Sequence, residues 1–514
     1  MSFTLVDLLR AHGRDHGDRP AVACGDRTLT YSNIDERSNR FGQALRADGL
    51  RPGSRVAYLD LNQPEFFDVQ FGAAKLGSVV APLNWRLTPS ELGAIAADAE
   101  AELLVIGPSF ADLAGQIKEA APSIRRVVVP GVEYEEWLAA HDPVDPGFAG
   151  GPDDVVLQLY TSGTTGLPKG VMISNSNCSA LFKVADAWSV DHESVSLVAM
   201  PLFHIGGSGW AMVGLAHAAL NVLVPEIEPT RLLDLIVARQ VSNAFLVPAV
   251  LAMLTAVPGA AERDYTSLRS LAYGASPITV PTLRRALEVF RTPLYQVYGL
   301  TETTGAITQL DADDHDPGGP REHLLRSAGR PYPWVELKTV DPVSGDDCAA
   351  GTVGEVWIRS VQVSPGYWRR PEETAVAVTP DGWLRTGDAG YVDGDGYLFL
   401  TDRIKDMIVT GAENVYPVDV ENVLAGHPDV ADVAVIGVPD DTWGETVKAV
   451  VVRRQGSHVG EAELLEFAHD RLAGFKRPRS VDFVADLPRN ATGKLLKRVL
   501  REPYWAARGD RRIG

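Results

Sequence analysis

Cysteine is scarce: the 514 residues hold three, Cys24, Cys178 and Cys348, scattered and odd in number. That pattern shows neither a disulfide framework nor a zinc site, and it suits a reducing compartment. A basic surplus is also lacking. Against 48 Lys+Arg stand 67 Asp+Glu, a formal net charge of −19. Nucleic-acid binders present a basic face, so general polyanion binding is argued against and no nucleic-acid partner is expected. Long apolar runs are missing too. The most apolar stretch, VGLAHAALNVLVPEI, is interrupted by His217, Asn221 and Glu226 and is too short for a good membrane span. The N-terminus, MSFTLVDLLRAHGRDHGDRP, reads as a short amphipathic helix without the basic start and apolar core of a signal peptide. A cytoplasmic protein is the expectation, as a monomer or a homodimer.

What the chain does have is ordinary globular composition, 45% hydrophobic and 22% charged, at a length that implies at least two domains. From Ala21 to Ile106, strand-like RVAYLDL, SVVAPLN and ELLVI alternate with helical PEFFDVQFGAAKLG and a helix opening at TPSEL. In that last segment Thr88 is the N-cap, Pro89 the first helical residue and Glu91 the capping-box partner. The alternation predicts α/β layering around a largely parallel sheet. The segment 310–331 is polar and rich in turn residues. From Val335 to Leu400 short strands between Gly/Asp turns predict a β-rich lobe. After Thr401 the pattern returns to α/β on a small scale. The expected division is a large domain over 1–402 and a small C-terminal domain over 403–514.

The most informative stretch is YTSGTTGLPKGV, Tyr160 to Val171. Apolar VVLQLY enters it and GVMIS leaves it, so it is expected to join two strands. Glycines 163, 166 and 170 allow inward-turned N–H groups, an anion nest. Thr161, Ser162, Thr164 and Thr165 add hydroxyl donors and Lys169 a cation. Taken alone, such a stretch is more often a simple hairpin turn. It is not a Walker A loop, because Lys169 lies three residues past Gly166, follows Pro168 and precedes Gly170 rather than Ser or Thr. A GTPase-like switch is therefore disfavoured.

This loop resembles the signature of the adenylate-forming superfamily: acyl-CoA synthetases, peptide-synthetase adenylation domains and luciferase. YGLTE (298–302), TGD (386–388), TDRIKDMIVTGAENVYPVDVE (401–421) and RNATGK (489–494) resemble the family's later motifs, in order. Stand-alone bacterial fatty-acyl- and aryl-CoA ligases look most similar, which would place the chain in fatty acid or aryl acid metabolism.

The resemblance implies ATP-dependent activation of a carboxylic acid to an acyl-adenylate with release of pyrophosphate, then transfer to the thiol of coenzyme A. The acceptor could instead be a carrier protein, an amine or another small nucleophile. It implies that Thr161, Ser162, Gly163, Thr164, Thr165, Gly166 and Lys169 hold the β- and γ-phosphates. Tyr298 would stack on adenine, with Gly274 and Ala275 as the other wall. Thr301 would donate to phosphate and Glu302 would bind Mg²⁺. Asp388 would accept from the ribose hydroxyls, with Arg403 as ribose and phosphate partner. Lys494 would bridge the acyl carboxylate and the α-phosphate. Lys405 would sit at the hinge of a swinging C-terminal domain. Outside that context, a Glu after Thr is more often a helix N-terminal acid, an isolated TGD a turn and a lysine solvated surface.

Phe475, Arg477 and Arg479 in GFKRPR, with Trp443, form a candidate strip for the CoA nucleotide; the alternative is an exposed basic turn. Gly411 lines the implied pantetheine tunnel, and Ala412 stands where relatives commonly carry a second glycine. His204 in PLFHIGG resembles a gate between acid and nucleotide, and Gly206, Gly207 and Gly209 are expected to leave room for substrate. Gly274, Ala275, Gly299, Gly305 and Ala306 suggest pocket depth. Which acid is taken is not readable from the sequence.

Overall fold

The computed structural model describes residues 4–161, 168–276, 278–403, 406–410, 413–440, 443–469, 471–489 and 495–506; side chains of 402, 403, 409, 413 and 414 are outside the description. The described residues form four sheets. The first has six strands, ordered Arg126–Val128, Ala101–Ile106, Arg55–Leu59, Val79–Pro82, Val155–Thr161 and Lys169–Ser174. Its first five strands run parallel; the last closes an antiparallel hairpin. That hairpin is the strand–loop–strand expected around the GTTG turn, with Thr161 paired to Lys169 at its mouth.

The second sheet has nine strands. Its parallel centre includes Leu294–Leu300, Ser270–Gly274, Asn243–Leu246 and Val195–Val198, and it is flanked by antiparallel edges. The helix Glu65–Leu76 is buried along its whole length. Its Lys75 is fully buried, and Nζ is satisfied by Asp35 Oδ1 and Asn39 Oδ1, each at 2.6 Å. A buried cation requires such partners. The helix Pro89–Asp98 starts as its sequence dictates: Thr88 donates its N–H to Glu91 Oε2 at 2.8 Å while its hydroxyl accepts from the Glu91 N–H.

Asn62 fastens the two large sheets. Its amide donates to Val198 O, Met200 O and Val224 O at 3.0–3.3 Å, and its Oδ1 accepts from Leu202 N at 3.0 Å. One side chain just past the strand Arg55–Leu59 thereby fixes strand ends of the second sheet and the loop leading to His204.

Four antiparallel strands over Val335–Arg403 form the β-rich lobe. Five further strands, from Ile408–Thr410 to Ser480–Val484, form the last sheet, with its own apolar cluster around Val435, Val447, Val451 and Leu464. No helix among the described residues is long and apolar enough to cross a membrane. The fold is mixed α/β, with a large sheet-rich N-terminal region and a small α+β unit at the C-terminal end.

Candidate active site

The site forms where the parallel strands of the nine-stranded sheet end. Ser270–Gly274 and Leu294–Leu300 are neighbours, with Gly274 opposite Val297. A Cβ on Gly274 would fall 2.2 Å from Val297 O, so only glycine permits this pairing. Ala275 then turns with φ +68°. Behind this wall the Tyr273 hydroxyl bonds His315 Nε2 at 2.9 Å, while His315 Nδ1 lies 2.8 Å from Asp311 O. A carbonyl only accepts, so Nδ1 carries the proton and Nε2 accepts from the tyrosine.

Leu294–Leu300 runs into a tight turn, Thr301–Thr303, and returns antiparallel as Gly305–Leu310. Thr304 is held at φ +54°. The fully buried Gln362 clamps this turn. Its Nε2 donates to Thr303 O at 3.3 Å and Ala306 O at 2.9 Å, its Oε1 accepts from Trp334 Nε1 at 2.6 Å, and its backbone carbonyl accepts from Thr304 Oγ1 at 3.0 Å. The turn therefore presents Thr301 and Glu302 from a fixed base.

Tyr367 joins Glu302 to the other sheet. Its hydroxyl donates to Glu302 Oε1 at 3.0 Å, and Lys169 Nζ lies 5.0 Å from its ring centre. The segment bearing Tyr367 is stitched to the Lys169 strand by Met172 N to Gly366 O at 3.0 Å and Trp368 N to Gly170 O at 2.8 Å. Beneath, Asp98 receives the Tyr160 hydroxyl at 2.8 Å and Arg370 at 2.6 Å, and Arg55 lies 3.3 Å over the Trp368 ring. A cation from the first sheet and a carboxylate from the second thus meet on one phenol.

The TGD carboxylate arrives from the β-rich lobe. Thr386 Oγ1 donates to Val356 O at 2.7 Å and accepts from Asp388 N at 3.1 Å, with Gly387 at φ +70° between them. Asp388 Oδ2 accepts from the Tyr298 hydroxyl at 2.7 Å, and both residues are nearly buried. Asp388 is also in register with Arg403 on the next strand.

His204 is the N-cap residue of the helix Ile205–Ala216. Its Nε2 is buried with no hydrogen-bond partner among the described residues. Burial, with Arg86 nearby, pushes its pKa down to about 4, so the ring is neutral at pH 7. The Phe203 ring lies 4.6 Å away, and Arg86 sits 4.2 Å over Trp85 and 5.9 Å over Phe203.

Not every expected glycine makes room. A Cβ at Gly207 would fall 2.1 Å from Pro201 O, and one at Gly299 would fall 1.9 Å from Gly305 O. These two permit close backbone approach; they do not line open space.

Next to the last sheet Trp443 and Phe475 are exposed, at 55% and 38%. Arg479 N donates to Val447 O at 2.8 Å, which brings the GFKRPR strip to the sheet end where Trp443 precedes the strand Gly444–Arg453. Arg477 Nε donates to Leu472 O at 2.9 Å. Ser162, Gly163, Thr164, Thr165, Gly166, Lys405, Gly411, Ala412 and Lys494 lie outside the described residues, as does the Arg403 side chain. The sequence reading missed Tyr367, Gln362, Asn62 and Arg86. Tyr367, Gln362 and Asn62 act through partners distant in the chain, and Arg86 reaches Phe203 as well as its neighbour Trp85, which no local pattern marks.

Comparison with known proteins identifies the family. Residues 9–368 match the family described as AMP-binding enzyme, and residues 419–494 match the AMP-binding enzyme C-terminal domain. The chain is 40% identical to the fatty acid–[acyl-carrier-protein] ligase ScoC of Streptomyces coeruleorubidus, over 98% of this chain and 96% of that protein. It is 38% identical to a feruloyl-CoA synthase of Amycolatopsis, over 94% and 96%. Among solved structures, ATP-bound MatB from Rhodopseudomonas palustris superposes with a TM-score of 0.90 at 32% identity, covering 98% of this chain and 99% of that one. With both parts matched and relatives aligned along nearly its full length, the chain belongs to the AMP-binding enzyme family of adenylate-forming acid ligases.

Proposed function

We propose that the chain activates a carboxylic acid with ATP and passes the acyl group to the thiol of coenzyme A. The observation that carries this reading is the convergence of Lys169 and Glu302 on Tyr367, together with the Tyr298–Asp388 pair. A carboxylate oxygen attacks the α-phosphorus, the bond to the β-phosphate bridging oxygen breaks, and pyrophosphate leaves with that electron pair. The thiol then attacks the acyl carbon and AMP departs. The first step brings two anions together, so it needs fixed positive charge and preorganised donors.

Lys169 and the hydroxyls of the 161–165 loop meet the β- and γ-phosphates. The backbone at Gly274 and Ala275 forms one wall for the adenine, with Tyr298 on its other side. Asp388 accepts from the ribose hydroxyls, oriented by the Tyr298 hydroxyl. His204, neutral by burial, separates acid from nucleotide without adding charge. The donor set at the turn, a Glu302 carboxylate already oriented through Oε1 and the Thr301 hydroxyl, fits a hard oxygen-seeking cation. Mg²⁺ held by Glu302 would supply charge neutralisation on the phosphate oxygens.

Residues 403–514 act as the moving domain, hinged near Lys405. Lys494 serves the first half-reaction, and Gly411 with Trp443, Phe475, Arg477 and Arg479 serves the CoA in the second. Lys494→Ala then abolishes adenylate formation while sparing transfer from preformed adenylate.

A second reading is favoured by one observation, the 40% identity to a fatty acid–[acyl-carrier-protein] ligase: the acceptor is the phosphopantetheine thiol of a carrier protein. A screen of carboxylic acids for pyrophosphate release, with CoA or a holo-carrier protein present, tests both. Pyrophosphate release with acyl-CoA formation supports the first, and release with acylation of the carrier alone supports the second. No release with any acid would refute both.

A further inference from the structure

The helix Ile205–Ala216 packs one face against the strands of the nine-stranded sheet. Residues four apart share a helix face, so Gly206, Trp210 and Gly214 stand in a row from the His204 end downward. At the top of this row apolar side chains stand against the glycines. A Cβ on Gly206 would meet Phe245 Cε1 at 3.0 Å. One on Gly209 would meet Ile205 and Leu181 at 3.1 and 3.2 Å. Gly305, on the returning strand past Glu302, faces the same two side chains at 3.5–3.6 Å. One helical turn below Gly206, about 6 Å, the row is closed by an indole.

Trp210 is 5% exposed, with its ring 6.5 Å from Phe245 and 5.3 Å from Trp188. Both indoles are tied: Trp210 Nε1 donates to Leu197 O at 2.9 Å and Trp188 Nε1 to Gln309 Oε1 at 2.7 Å. Swinging either ring aside would leave a buried donor unpaired, so this layer does not behave as a hinged gate. Below it, a Cβ on Gly214 would fall 2.6 Å from Asn221 Oδ1. Asn221 pairs in register with Ser196, and the Asn221 amide and Ser196 Oγ are buried without a partner among the described residues. An apolar tail threaded past the tryptophans would lie against desolvated polar atoms, an unfavourable contact.

We propose that Trp210, backed by Trp188 and abutting Phe245, is the fixed floor of the acid pocket and restricts the enzyme to compact carboxylic acids. An acid entering at the His204 end meets this floor about one helical turn down, which favours a single aromatic ring or a short chain over a long acyl tail. This rests on the reading of the chain as an acid-activating ligase.

Acid-dependent exchange of labelled pyrophosphate into ATP, measured from acetate through octanoate to palmitate and with benzoate and cinnamate, tests it on wild type, Trp210→Leu and Phe245→Leu. The wild type is expected to give its highest kcat/KM with an aryl or short-chain acid, falling at least about tenfold by palmitate. Either variant should raise the ratio of longer-chain to short-chain kcat/KM by about tenfold, while KM for ATP stays near the wild-type value. The second variant keeps the test open if the first does not fold. A wild-type optimum at palmitate would overturn the proposal. So would an unchanged ratio in both variants when they still bind ATP. Exchange with no acid at all would instead overturn the activation reading on which the proposal rests.

Discussion

The Tyr298 hydroxyl donates to Asp388 Oδ2 at 2.7 Å, joining two motifs that lie 90 residues apart in the chain. The tyrosine comes from the nine-stranded sheet and the aspartate from the antiparallel lobe. Each is nearly buried, so the bond is poorly replaced by water. It makes the adenine and ribose contacts proposed for these two residues a single unit.

Tyr298→Phe keeps the ring and removes only this donor. A hydrogen bond to a charged acceptor contributes about 1.5–3 kcal/mol, so kcat/KM for ATP should fall by roughly tenfold to a hundredfold. Steady-state kinetics with ATP varied checks this. The parameters for the acid, with ATP saturating, should move far less.

Tyr367→Phe removes the donor to Glu302 Oε1 and leaves the ring beside Lys169. If that hydroxyl orients the carboxylate for a cation, half-maximal activity will require several-fold more Mg²⁺. Titrating Mg²⁺ at fixed ATP gives the answer. An unchanged Mg²⁺ requirement would separate Glu302 from metal binding.

Gln362→Ala strips the 301–306 turn of both side-chain donors and leaves Trp334 Nε1 unpaired. Buried polar groups left unsatisfied cost about 1–3 kcal/mol each. Urea unfolding should show a loss of that order, and acid-dependent pyrophosphate release should fall with it.

Much of the fold was readable from local pattern. Thr88, Pro89 and Glu91 start a helix through bonds three residues apart, so sequence alone locates it. The strand–loop–strand around Lys169 follows from two apolar runs flanking glycines. Pocket depth was not readable in this way. Gly206 and Gly209 look like open space in sequence, yet Phe245, Leu181 and Ile205 are packed against them. Tyr367, Gln362 and Asn62 carried no signal because their partners lie in other sheets. Their roles exist only after non-local strand pairing.

His204 gives a pH prediction with a definite sign. Its folded pKa, about 4, lies below its ordinary value near 6.5. The unfolded chain therefore takes up a proton first as pH falls. The contribution is complete above about pH 6.5 and is lost towards pH 4. Relative to His204→Phe, the wild type should lose up to about 3 kcal/mol across that window. Asp60 and Asp68, raised to about 6 by burial, act in the opposite direction in both proteins and cancel in the difference. Urea denaturation of both proteins from pH 7 to about pH 4 measures it.

The central claim is that this chain forms an acyl-adenylate by reversible displacement of pyrophosphate. Exchange of labelled pyrophosphate into ATP, dependent on a carboxylic acid and on Mg²⁺ and lost in Lys169→Ala, is the result predicted. Failure of every acid to support exchange in folded protein that binds ATP, or exchange undiminished in Lys169→Ala, would contradict it.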